Sequence, residues 1–545
     1  MIKDETTAGD IADVSRTFIA ERYGGKGIAE NGGGARCGYD GAVQIKGIGP
    51  NPLVGEGVGA AHSDGAMSVR DGLYEALWSE IMETVLPFGC VGIIGVLGTG
   101  LDCVDHISGE RRRRGLLIRQ PCIRPAHFQR ALTFRPCGSF ADMTGTDAIR
   151  VRTAISKLAT RLPRPEGVTD AAWRDLSFSG ACRVGLEELA RRLAIQMAVC
   201  QSRFLKSGTS PSNVSMDGRL LDFTSLTSVH PSDVRAGDGS ASKYDLMWSE
   251  HMFLLEGLLE IAFHVGKAAQ KQAFQEMPPP DLIMVRFLRT FELSLCREFL
   301  FLCGFPAFVV DACQGPEMFD LGRIVIAIFQ RYATGIAMTG GNRLLLGADD
   351  SLFGEIVLRL LAGDDAGRSS IMDDFMFGHH LRRDLITAFD RAFQAVHPVF
   401  ADGRTNRSSL ARAMLINVTR ASRSRSFLRK AVMMETIARF AETRAEEEAV
   451  SEDIQSYFSR TRSLARVHLE NGPEPDVLFW ADQGAGQDVE IRYNLSTGLF
   501  ERRSDGMVKS CPAEHLMQCE DDLQGMNSVY GSRFWELFMS LGDER

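Results

Sequence analysis

The sequence predicts an α+β fold in three parts: a small glycine-rich β region, a helical mass and a short α/β tail. Three observations predict it. Residues 24–65 are dense in glycine and carry short apolar runs such as Ala42-Val43-Gln44-Ile45, the pattern of strands joined by loops. From Tyr244 to about Val450 the apolar residues recur at helical spacing almost without a break. After Pro473 and Pro475 the alternation of strands returns. Boundaries follow at 1–135, 136–450 and 451–545.

Each element can be justified in turn. Residues 1–25 are mixed and predict a lead-in helix. Leu73, Leu77 and Ile81 recur at intervals of four, with Trp78, Met82 and Val85 beside them, so residues 68–86 read as a helix. Ile93 to Leu97 and Leu116 to Ile118 read as strands, and 147–163 and 184–206 as helices. Leu246, Met247, Met252, Leu255, Leu258, Leu259 and Ile261 open the helical mass, and Leu282 to Cys303 continues it. In the tail, Val489 to Tyr493 and Leu499 to Arg502 flank Ser496-Thr497-Gly498 and predict a hairpin.

Composition sets bounds. The 545 residues are long enough for two or three domains and a large core. Hydrophobic content of 44% and charged content of 24% are those of a soluble globular protein. A net charge of −9 argues against nucleic acid or acidic membrane as partners of the whole molecule. Twelve cysteines without a C-x-x-C pair argue against zinc ribbons and disulfide scaffolds and fit a reducing compartment. The polar start Met1-Ile2-Lys3-Asp4-Glu5 is no signal peptide. Val85 to Leu101 is the best membrane candidate, but Pro87 and its glycines break it, so it reads as a loop and a buried strand. A cytoplasmic location is the expectation. The arginines of 404–430 lack interleaved aromatics, so a solvated or subunit-binding helix face is expected there rather than a nucleic-acid interface. Asp373-Asp374 and His379-His380 read as a solvated loop rather than a metal site.

The chemistry-bearing residues lie in a fixed order. Asn31-Gly32-Gly33-Gly34-Ala35-Arg36-Cys37-Gly38 can let backbone amides approach phosphate oxygens, with Arg36 as a charged donor; it is equally the composition of a flexible loop. Lys46 sits on an expected strand, and Glu75 lies roughly opposite Leu73 and Leu77 on the following helix. They read either as solvated side chains or as an ion pair between strand and helix. Arg119 and Arg124, five apart among apolar residues, can clamp a polyphosphate or line a surface strand. Asn213 precedes Asp222 by nine residues, with Asp217-Gly218 between, which reads as a short hairpin with the amide and the carboxylate at its ends. Those two side chains supply hard oxygen ligands suited to Mg²⁺ or Mn²⁺ held against phosphates. A glycine loop, a strand lysine, a helix glutamate and an Asn…Asp pair follow the protein-kinase order.

The chain resembles the selenoprotein O family of pseudokinases. The resemblance rests on Ile45-Lys46-Gly47-Ile48-Gly49-Pro50-Asn51-Pro52, Ser63-Asp64-Gly65, Arg70, Leu73-Tyr74-Glu75-Ala76-Leu77-Trp78-Ser79-Glu80 and Ser212-Asn213-Val214-Ser215-Met216 with Asp222-Phe223-Thr224. It covers roughly residues 24–230. It implies a protein-kinase-like two-lobe fold with a helical extension, which binds ATP in a flipped orientation and transfers AMP to protein hydroxyls. By carry-over, Lys46 and Glu75 form the ion pair, and Asn213 and Asp222 hold the metal. Gly33, Gly34, Arg36, Asp64, Gly65, Arg119 and Arg124 hold the nucleotide, with Gly32 able to stand in for Gly33.

Departures from the family pattern bear on the reaction. The aspartate that precedes the metal-binding asparagine in the family is Ser212 here, the triplet ends in Thr224, and the clamp arginines are closer together. A serine without an activator is no general base at neutral pH. An acceptor already ionised, such as a carboxylate, needs none. A looser resemblance to microcin-maturation proteins implies a peptide C-terminus as acceptor and a partner acyltransferase. The expectation is ATP- and metal-dependent nucleotidyl transfer to a protein or peptide, by a chain that could also be a homo-oligomer. The alternatives are phosphoryl transfer and an inactive nucleotide-binding subunit.

Overall fold

The computed structural model describes residues 16–541 apart from 107, 141–142, 231–241, 272–279, 314, 332–351, 364, 375–377, 397–406, 442–446, 485–486 and 519–524. The chain is α+β, mainly helical, with small antiparallel sheets. The first sheet has the order β1 (Cys37–Tyr39), β2 (Gln44–Lys46), β4 (Arg111–Arg119), β3 (Ile93–Val104). Gln44 faces Arg119 across the β2–β4 pair and Lys46 faces Leu117. Side chains alternate along a strand and pair across it, so Gln44, Lys46 and Arg119 share one face of the sheet.

The helix Val69–Val85 covers that face. Ser68 caps it: its Oγ accepts from the Asp71 amide at 3.0 Å, and Asp71 adds a carboxylate to the first turn. Pro87 forbids its continuation. Leu73, Tyr74, Leu77, Trp78, Ile81 and Met82 are buried, and so is Glu75. The helix is enclosed because the sheet covers one side while the helices Lys430–Ala441 and Glu447–Leu469 cover another. A glutamate expected opposite the apolar stripe is therefore interior.

Behind this unit the long helices Phe178–Ser202, Glu250–Lys271, Pro280–Phe299 and Arg407–Ser422 build the main core. The expected 184–206 helix ends at Ser202, and Leu205–Lys206 (β5) pairs with Thr227–Ser228 (β6). The expected 147–163 helix runs from Met143 to Ile155 and is followed by a short 3-10 turn. A second antiparallel sheet, β7 (Asp476–Gly484), β8 (Gln487–Asn494), β9 (Phe500–Ser504) and β10 (Met507–Cys511), forms a meander near the C-terminus. The expected hairpin is its β8–β9 pair, with Tyr493 opposite Phe500. Phe479, Tyr493, Phe500, Tyr530, Phe534 and Phe538 pack together over it. One continuous apolar core runs from Met67 to Phe538.

Several expectations are corrected. Residues 16–25 form no helix: Ile19 bridges Tyr39 and Arg22 bridges Gly33 as extended chain, while 1–15 lie outside the described residues. The strand expected to be buried after Val85 is β3, a sheet edge in which Val96 is the buried residue. No described helix is long and apolar enough to cross a membrane. His379 and His380 begin a helix rather than lie in a loop.

The largest correction concerns the arginines of 404–430. Arg420 and Arg425 are interior, not solvated. Arg420 donates from Nη1 to Val467 O at 3.0 Å and from Nη2 to Asn417 Oδ1 at 2.8 Å, over the Phe301 ring. Arg423 reaches Val529 O at 2.6 Å, and Arg412 reaches Phe538 O at 3.0 Å. These side chains staple the carbonyl ends of later elements to the 407–422 helix. Their burial is tolerated because their donors find acceptors.

Arg420→Ala strands the Val467 carbonyl and should cost about 1–3 kcal/mol in urea unfolding, as for a buried group left without its partner. Arg439→Ala removes an exposed Glu435 pair at 3.0 Å and should cost about 0–1 kcal/mol. Equal, small effects at both positions would return this stretch to a solvated face.

Candidate functional site

Three distant segments meet at the Lys46 ammonium. Nζ donates to Glu75 Oε2 at 2.7 Å and to Asp222 Oδ1 at 2.7 Å. Lys46 and Glu75 are each 1% exposed, so this is a buried charge cluster and not a surface pair. Arg119 extends it, with Nη1 3.3 Å from Glu75 Oε1 and Nε donating to Gln44 Oε1 at 2.5 Å. Arg124 Nη2 shares Gln44 Oε1 at 3.1 Å, and its Nη1 donates to Ser212 O at 2.6 Å and to the Tyr23 hydroxyl at 3.2 Å. Glu21 accepts from Gln44 Nε2.

The Asn213–Asp222 segment is a narrow hairpin-like turn. Val214 bridges Leu220, Ser215 N donates to Arg219 O at 2.8 Å, and Leu221 N donates to Asn213 O at 3.0 Å. Gly218 has φ +94°, a conformation that favours glycine. Val91 N bonds Leu220 O at 2.8 Å and Met216 N bonds Ile123 O at 2.7 Å, so the turn is held from both sides. Asn213 and Asp222 lie at its open end, where Leu221 N bonds Asn213 O. Asn213 Nδ2 donates to Gly208 O at 3.3 Å, and its Oδ1 accepts from the Ser212 hydroxyl at 3.3 Å. Asp222 itself has φ 64° and ψ 65°, a left-handed conformation that costs a non-glycine residue about 1–3 kcal/mol. Burial pushes its carboxyl up, but Lys46, Arg119 and Arg36 outweigh this and hold it well below the usual carboxylate range.

Arg36 is half-buried and close enough to act on Asp222, yet its side chain makes no hydrogen bond or ion pair among the described residues. Arg70 is likewise without one, and its Nε is buried and unsatisfied. Ser212 is 2% exposed, and its hydroxyl lies 2.8 Å from Ser210 Oγ and 3.3 Å from Asn213 Oδ1, with no carboxylate or imidazole bonded to it among the described residues. The glycine loop is packed: Gly33 and Gly34 are buried, the Gly34 amide donates to Glu21 O at 2.9 Å, and a methyl at Gly33 would lie 2.3 Å from that carbonyl. These glycines thus have a packing reason of their own. Asp64 pairs with His106 at 2.7 Å, and Gly65 O accepts from Gly49 N at 3.1 Å; their recorded partners lie outside the Lys46 cluster.

The structure brings together Lys46, Glu75, Asp222, Asn213, Ser212, Arg119 and Arg124, with Arg36 at their edge. Sequence reasoning missed Gln44, Glu21 and Tyr23. Gln44 had a signal, since it sits two residues before Lys46 on one strand and must share its face. Among the described residues no three His, Cys, Asp or Glu side chains are grouped to hold a metal ion. Asn213 and Asp222 fit Mg²⁺ or Mn²⁺ as a two-residue set, because such ions complete their shells with water and phosphate. A cavity of about 290 Å³ lies between the 69–85 helix, β3 and the 447–469 helix, lined by Leu73, Ile93 and Phe458 and by none of the cluster residues. No protein-family model matches the chain, and no curated protein matches it either.

His127 supports Arg124: its Nδ1 accepts from the Arg124 amide at 3.0 Å. Burial and the Arg124 charge push its imidazole down to about 3, against an ordinary 6.5. A base held neutral in the fold contributes stability that is complete above its unfolded pKa and declines as pH falls toward its folded pKa. Wild-type stability should therefore decline from about pH 6.5 downward. His127→Asn, which keeps an acceptor for the Arg124 amide, should have a flatter profile between pH 7 and 5 in denaturant titrations. Identical slopes would show that His127 carries no such term.

Proposed function

We propose that this chain is an ATP- and divalent-metal-dependent nucleotidyltransferase, built on a kinase-like lysine–glutamate–aspartate arrangement, that transfers AMP to a protein or peptide. The observation that carries the reading is the Lys46 ammonium held at 2.7 Å by both Glu75 and Asp222, residues from three separate chain segments. Arg36, whose side chain makes no hydrogen bond or ion pair among the described residues, and Arg70, whose buried Nε is unsatisfied, would supply the charge that a polyphosphate needs. Asn213 and Asp222 would hold the metal, which supplies charge neutralisation at the phosphates when bound.

Ser212 narrows the acceptor. Its hydroxyl is bonded to Ser210 and Asn213, and it occupies the sequence position at which the resembled family has an aspartate, the candidate base for a neutral hydroxyl. A carboxylate acceptor needs no such base. Its oxygen attacks the α-phosphorus, the bond from that phosphorus to the β-phosphate bridging oxygen breaks, and pyrophosphate leaves with the electron pair. The product is an acyl-adenylate that a partner acyltransferase can consume. A peptide C-terminus is the acceptor proposed here.

Arg36→Ala should leave the melting temperature unchanged and weaken Mg–ATP binding by about 1.5–3 kcal/mol, the worth of a hydrogen bond to a charged group. Calorimetry with equal affinities for variant and wild type would remove the proposed phosphate contact. ATP–pyrophosphate exchange should depend on a free peptide C-terminus and gain nothing from Ser212→Asp. Label moving from the γ-phosphate instead would make the chain a kinase. Exchange that ignores the C-terminus and rises about 10²–10⁴-fold in Ser212→Asp, as a positioned base allows, would point to hydroxyl acceptors.

A further inference from the structure

We infer that Lys430, more than two hundred residues beyond the turn, is a positioning residue for Asp222; this rests on the reading of Asn213 and Asp222 as metal ligands. Lys430 is the first residue of the helix Lys430–Ala441. Its Nζ donates to Thr224 O at 2.6 Å, and its backbone amide donates to Thr227 Oγ1 at 2.9 Å. The same ammonium lies 5.5 Å from the centre of the Tyr74 ring, next to Glu75 on the 69–85 helix. Tyr74 in turn donates its hydroxyl to Leu226 O. One side chain therefore touches the segment that carries Asp222 and the helix that carries Glu75.

The link to Asp222 is short. Thr224 Oγ1 donates to Asp222 Oδ1 at 3.0 Å, the oxygen that also receives Lys46. Asp222 holds a left-handed backbone conformation, which persists only where surrounding contacts impose it. Residues 223–225 form one 3-10 turn directly after it. Fixing the Thr224 carbonyl fixes that turn, and with it the hydroxyl that orients the carboxylate. Groups that orient a metal ligand in this way typically change metal affinity by about 10–100-fold when removed. The helical second half of the chain would thus complete a site whose other residues all lie in the first half.

The test uses the full chain, with Mn²⁺ binding in saturating ATP followed by electron paramagnetic resonance. Metal-free ATP binding and thermal melting are measured in parallel. Lys430→Met keeps the aliphatic stem over Tyr74 and removes the ammonium. It should raise the Mn²⁺ Kd by about 10–100-fold, with metal-free ATP affinity unchanged, and Lys430→Arg should restore most of the loss. Equal Mn²⁺ affinity in wild type and Lys430→Met would overturn the inference alone. Parallel loss of metal, metal-free ATP and melting temperature, without rescue by Lys430→Arg, would also overturn it, since that is a general structural role. Wild type that takes no Mn²⁺ with ATP would overturn the underlying metal reading, and the role of Lys430 with it.

Discussion

The structure around the candidate site depends on the neutralisation of one buried ammonium. Lys46 is 1% exposed and would be costly to bury alone. Two carboxylates make its burial possible, and neither belongs to its own sheet. Glu75 has to come from the helix over the sheet, and Asp222 from the turn beyond the 178–202 helix. The helix must therefore present Glu75 inward, at the cost of enclosing a charged residue among Tyr74, Trp78 and Leu77. Arg119 occupies the second Glu75 oxygen, and Gln44 joins Arg119 to Arg124. Each charge is stable because the others are present, so strand, helix and turn are fixed to one another.

This balance also separates two layers of positive charge. The inner layer, Lys46 and Arg119, is satisfied by protein carboxylates. Outside it, Arg36 at the edge of the cluster and Arg70 in the first turn of the 69–85 helix make no side-chain hydrogen bond or ion pair among the described residues. On the proposed reading, a metal–polyphosphate complex enters by exchange. Lys46 would then meet phosphate oxygens, and Asp222 with Asn213 would hold the cation, which would supply charge neutralisation. One internal ion pair is traded for two interactions with the ligand, so neither charge is stranded. An anion without a metal would release Asp222 with nothing to receive it, and a cation without an anion would do the same to Lys46. Coupling between the two halves of the ligand follows from the shared Lys46–Asp222 contact.

The sequence made the inner layer readable because its residues sit in local patterns. Asn213 and Asp222 flank an Asp-Gly turn, Lys46 lies in an apolar strand run, and Glu75 lies in a helical one. Gln44 was equally legible by alternation. The arginines of 404–430 were not, and the reason is physical. Arg420, Arg423 and Arg425 are satisfied by backbone carbonyls of Val467, Val529 and Arg203, and a carbonyl has no residue type to betray it. The missing aromatics point to a solvated or subunit-binding face, but Arg420 and Arg425 are buried. Lys430 likewise has a carbonyl, that of Thr224, as its acceptor. The edge position of β3 was also hidden, since an apolar run looks alike in a central strand and in an edge strand covered on one face.

Ser212 sets the limit on the chemistry. The hydroxyl is buried, bonded to two neighbours, and fixed through its backbone carbonyl to Arg124. Among the described residues no carboxylate or imidazole is bonded to it, and the Arg124 guanidinium on its carbonyl works against any species that gathers a proton. A neutral nucleophile would arrive with a proton and find no group to take it. On the proposed reading a carboxylate would arrive without one, and Arg36 makes the edge of the site locally positive although the whole chain carries a net charge of −9. The charge that favours a polyphosphate at this edge also favours an anionic acceptor next to it. On the proposed reading, the lack of a base beside Ser212 among the described residues and the cationic edge point the same way: the acceptor would bring its own negative charge.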